Sequence, residues 1–66
     1  MKKEELEKQL SYEQKQWRRL DRARENATAA GRHEDAGRLA AEACRHRNAA
    51  FKIIAKLQSN AAEAVA

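Results

Sequence analysis

The sequence predicts an all-α protein, an antiparallel two-helix hairpin that self-associates into a helical bundle. Three observations lead there. First, the strong helix formers Ala, Glu, Lys, Leu, Arg and Gln dominate the 66 residues, with fifteen alanines and no proline. Second, the β-branched residues are Thr28, Ile53, Ile54 and Val65, too few for a sheet. Third, Gly31 stands between two stretches with helical apolar spacing, where a glycine closes one helix at little steric cost. At this length the chain makes one domain, residues 1–66, with residues 59–66 expected to extend the second helix or fray.

The first helix is expected over about residues 2–30. Leu6, Leu10, Trp17, Leu20 and Ala27 form an apolar stripe of heptad type, with Glu13 and Arg24 in its polar gaps. Ala23, Ala27 and Ala30 continue it with small side chains. Ser11-Tyr12-Glu13-Gln14 matches a capping box and offers an alternative start. A continuous helix keeps Leu6 and Leu10 on the face of Trp17, which favours continuity.

The turn follows, with Arg32 and His33 after Gly31. Glu34 and Asp35 then open the second helix, where its dipole favours negative charge. That helix is expected over about residues 34–58, with Asn60 a plausible end. Gly37 lies early in it, weakens it, and suggests close packing near the turn.

A turn this short makes the helices antiparallel. Equal rise pairs residues whose numbers add to about 65. Trp17 then falls opposite Arg47 to Phe51, and Leu10 near Ile54 and Leu57. The turn end is lined by alanine and the open end holds the bulky residues. The densest apolar stretch is Ala49 to Leu57. As a helix it is apolar over an arc of about 200°, wider than the roughly 100° that one packing partner needs. Ile53, Leu57 and Ala50 are claimed by the first helix. The shoulder of Ile54 and Phe51, toward Ala55 and Cys44, has no claimant within the chain. Tyr12 lies off the first stripe and is grouped with Phe51 and Cys44 as a candidate for contact with a partner. The expected interface set is Tyr12, Trp17, Cys44, Phe51, Ile53, Ile54 and Leu57.

Ala30-Gly31-Arg32-His33-Glu34-Asp35-Ala36, with Ala43, resembles the turn and second helix of a tetratricopeptide-type hairpin. In that family a Gly ends the first helix, an Ala follows five residues later and another seven after that. Leu20 matches the family's aromatic position of the first helix. Ala23-Arg24 stands where the family has Leu-Gly, and Asn48 where it has Pro. The resemblance covers about half the chain and implies a helical hairpin, since a lone repeat cannot bury its own faces. The length and layout also resemble the plasmid copy-number RNA-binding hairpins that dimerise into four-helix bundles, an analogy of architecture without a shared motif.

The candidate chemistry is sparse. His33, Cys44 and His46 are the soft metal-ligand candidates, and no pair has the i, i+4 spacing of a helical zinc site. No metal or cofactor is expected. There is no glycine-rich phosphate loop and no nucleophile motif, so enzyme activity is not expected. Glu13 is expected to reach a base such as Arg47, and His46 to pack on the apolar side of the second helix. Trp17 is read as a core residue, stacked by Arg47.

The net charge is +4. Arg38, Arg45 and Lys52 recur every seven residues, and Lys56 follows. Lys15, Arg18, Arg19 and Arg22 form a second cluster. The candidate nucleic-acid contacts are Arg18, Arg22, Arg38, Arg45, Lys52 and Lys56, against the ordinary alternative of solvated, salt-bridged faces. No apolar run approaches a membrane span, and the first residues lack a signal-peptide pattern. With one cysteine, a cytoplasmic setting is expected.

The functional expectation is a small non-enzymatic regulator. It binds itself, as a homodimer or higher, and another protein, for example as an inhibitor or antirepressor of a DNA-binding regulator. The alternative is an RNA- or DNA-binding bundle that uses a basic helix face.

Overall fold

A computed structural model describes the backbone of residues 2–65 and the side chains of residues 2–60. It contains two helices, α1 (Lys3–Ala29) and α2 (His33–Val65), packed against each other along their length as an antiparallel hairpin. The outcome is a rod of 52 × 14 × 14 Å. No helix among the described residues is long and apolar enough to cross a membrane.

α1 runs unbroken through Ser11, so the capping-box sequence does not start a helix here. Glu4 and Glu5 occupy its first turn, where the exposed N–H groups favour negative charge. Its end is a Schellman closure. Arg32 N–H donates to the Ala27 carbonyl at 2.8 Å and Gly31 N–H to the Thr28 carbonyl at 3.1 Å. Gly31 supplies the required left-handed conformation, with φ +77°. Ala36 N–H then donates to the Arg32 carbonyl at 2.9 Å, so α2 begins almost without a loop. α2 continues past Gln58 and Asn60 to Val65.

Gly37 does not serve close packing. A β-carbon there would meet nothing within 4 Å.

The core is thin. Leu6, Leu20, Ala27, Ala43, Ala50 and Ile53 are the buried apolar residues among those described, and three of the six are alanines. Alanine lets the helices approach closely but removes little apolar area from water. The accessible surface is 5278 Å². A compact monomer of 7.5 kDa exposes about 4,200 Å², so this rod carries roughly 1,000 Å² more.

Candidate interaction surface

Leu6, Glu13, Leu20 and Ala27 are spaced by seven and form the line of α1 that faces α2. The two leucines and Ala27 are buried. Glu13 holds the second position of that line, and His46 meets it from α2 with Nδ1 2.5 Å from Glu13 Oε2. The side chains are 19% and 30% exposed. All other side-chain hydrogen bonds among the described residues join positions three or four apart on one helix. This link therefore ties the two helices together at mid-rod. Arg47, the expected partner of Glu13, turns away instead and donates from Nη2 to Cys44 Sγ at 3.2 Å.

A second junction lies beside the link. Trp17 and Phe51 meet edge to face, with centroids 6.3 Å apart and planes at 67°. Trp17 thus packs on Phe51, and Arg47 is engaged with Cys44. Edge-to-face geometry sets the positive rim of one ring against the negative face of the other. The pair does not bury Phe51, which remains 54% exposed. Trp17 is half-buried, as are Ile54, three residues after Phe51, and Cys44, one heptad before it; Leu10 and Leu57 are half-buried as well.

Tyr12 does not join this cluster. It is 57% exposed and stands edge-on to His46 at 6.4 Å and 77°. Tyr12 comes one residue before Glu13 and Phe51 one residue after Ala50, each step being about 100° around its helix. In an antiparallel pair, steps of opposite sense reach opposite sides of the interface. The two exposed aromatics therefore mark opposite faces of the rod. Of the expected interface set, Trp17 and Phe51 are in contact, and Cys44, Ile54 and Leu57 are half-buried. Ile53 is 8% exposed and already covered by its own hairpin.

The basic candidates also divide. Arg38 is held by Asp35 in an ion pair. Arg18, Arg22, Arg45, Lys52 and Lys56 are exposed, with no ion pair among the described residues. Arg24, in a polar gap of the α1 stripe, reaches Asp21 Oδ1 at 3.1 Å and Glu25 Oε1 at 4.0 Å.

Beside the turn lies an open groove of about 650 Å³. Ala23, Ala27, Ala30 and Leu39 line it, and Arg32 and Glu42 stand among its polar residues. Small side chains leave this space because they do not fill the gap between the helices. Among the described residues, no three metal-ligating side chains converge.

Comparison of the chain with protein-family models, curated proteins and solved structures finds no match.

Proposed function

We propose that this is a non-enzymatic binding protein whose hairpin completes its core with a second copy across the Phe51 face. In that bundled form it acts in the cytoplasm on another protein, as an inhibitor or antirepressor-type factor would. The observation that carries the reading is Phe51. A phenylalanine 54% exposed, in edge-to-face contact with half-buried Trp17 and three residues before half-buried Ile54, is an apolar surface left open. Such faces mark interaction sites when they are contiguous. Isologous two-fold dimers are the commonest way for identical chains to cover one face.

The test is sedimentation of the whole chain at micromolar concentration. The wild type is expected to run as a dimer or larger species, and Phe51→Glu as a helical monomer. Phe51 is a better probe than a core residue because its charge would sit in water within a single hairpin. A wild type that remains a compact monomer at high micromolar concentration would overturn the reading.

A further inference from the structure

A different surface supports a second binding function that does not depend on the Phe51 face. Lys15, Arg18, Arg19 and Arg22 are all exposed. Their spacings of three and four make each the neighbour of two others, about 5–6 Å apart at Cβ. Four such like-charge pairs disfavour the helix in the free chain. Among the described residues none of the four cations makes an ion pair: Asp21 pairs with Arg24 at 3.1 Å, Glu25 lies 4.0 Å from Arg24, and Glu13 is turned inward to His46. Arg19 finds only the neutral Gln16, donating to its Oε1 at 2.9 Å. Lys8, one heptad before Lys15, extends the line and is also exposed. From Lys8 to Arg22 the ridge is about 21 Å long.

We propose that this outer ridge of α1 binds the phosphate backbone of nucleic acid. Three of the four clustered cations are arginines, whose planar guanidinium fork matches phosphate oxygens. A straight cationic line suits a linear polyanion. A duplex presents on the order of a dozen charges along about 21 Å of its axis. A membrane is the poorer fit. An interfacial helix needs a free apolar side next to its basic one, and the apolar stripe of α1 is taken up by α2. Binding through backbone phosphates alone is independent of sequence and steeply salt-dependent.

The experiment measures fluorescence anisotropy of a labelled, mixed-sequence DNA duplex of about 20 base pairs titrated with the whole chain. Phosphatidylserine vesicles serve as a parallel probe. Four phosphate contacts predict an affinity loss of about 100-fold between about 50 and about 200 mM salt. R18Q/R22Q is expected to weaken binding at least tenfold and to reduce the salt slope by about 1.8. R45Q/K52Q, on α2, is expected to retain most of the affinity. Circular dichroism checks that both variants remain helical, and R18Q/R22Q is expected to do so because it removes repulsion within α1. Three results would overturn the proposal. One is no duplex binding by the wild type at low salt and tens of micromolar protein. Another is an R18Q/R22Q variant that binds as well as the wild type, or no worse than R45Q/K52Q. The third is tighter binding to the vesicles than to the duplex.

Discussion

Replacing Glu13 and His46 by alanine, singly and together, tests the polar link at the centre of the rod. The pair spans the two helices at 2.5 Å, with side chains 19% and 30% exposed. A hydrogen bond to a charged group contributes about 1.5–3 kcal/mol when well enclosed. Residual solvent access reduces that here, and a coupling energy of about 1 kcal/mol is expected. Each single variant also leaves its former partner half-buried and unmatched. Each should therefore cost about 1–2 kcal/mol, and the double variant less than the two losses combined. Urea unfolding at fixed protein concentration reads this out. A chain this small has a slope near 1 kcal/mol/M, so each single loss moves the midpoint down by about 1–2 M. Additive losses, with coupling below about 0.3 kcal/mol, would refute the view that the contact joins the helices energetically. Glu13→Leu with His46→Leu extends the test. Apolar replacement of a buried polar pair is often neutral or stabilising, so that variant is expected to keep its stability.

Three further substitutions follow from local geometry. Gly37→Ala should stabilise by up to about 1 kcal/mol, raising the urea midpoint, because the methyl meets open space and α2 gains a better helix former. Gly31→Ala should destabilise by about 1–2 kcal/mol in the same assay, because at φ +77° a β-carbon crowds the adjacent carbonyl oxygen, although the space beyond is open. Leu6→Ala removes the most fully buried large side chain, 1% exposed, and should cost about 2–5 kcal/mol. In so thin a core that loss should abolish the cooperative transition seen by circular dichroism.

The hairpin was legible because its determinants are local. Gly31 could be read as the end of α1 from glycine's access to positive φ, and the long uninterrupted helices from composition. Leu6, Leu20 and Ala27 were legible as members of the heptad-type stripe, whose other members, Leu10 and Trp17, are only half-buried. The partner of Glu13 was not. Equal-rise pairing locates a contact only to within about a turn, whereas one residue turns a side chain by about 100°. That difference separates His46, which faces Glu13, from Arg47, which reaches Cys44. The same limit separated Tyr12 from Phe51. Both read as aromatics off the main stripe, but the side of the rod each occupies depends on the antiparallel pairing. The Arg38 ion pair went unread for another reason. Asp35, three residues earlier, was read as an N-terminal acid of α2, and the structure makes it an ion-pair partner as well.

A thin core and an open face leave room for association to add to the stability of the single hairpin. The hairpin buries three alanines among its six core residues and leaves Phe51 in water. A single core of this size supplies at most about 3–5 kcal/mol. If a second copy covers the Phe51 face, unfolding also separates the copies, and thermal stability must depend on concentration. Each tenfold rise in protein concentration then adds about 1.4 kcal/mol per dimer. An unfolding entropy of about 2.1 cal/mol/K per residue over two chains turns that into a Tm increase of about 5 °C. Phe51→Glu should show no such dependence. Gly37→Ala should raise Tm at every concentration without changing the slope, since its methyl acts within one helix. A wild-type Tm constant over a hundredfold range of concentration would show that the hairpin closes its core alone, and Phe51 would then need a different partner to explain its exposure.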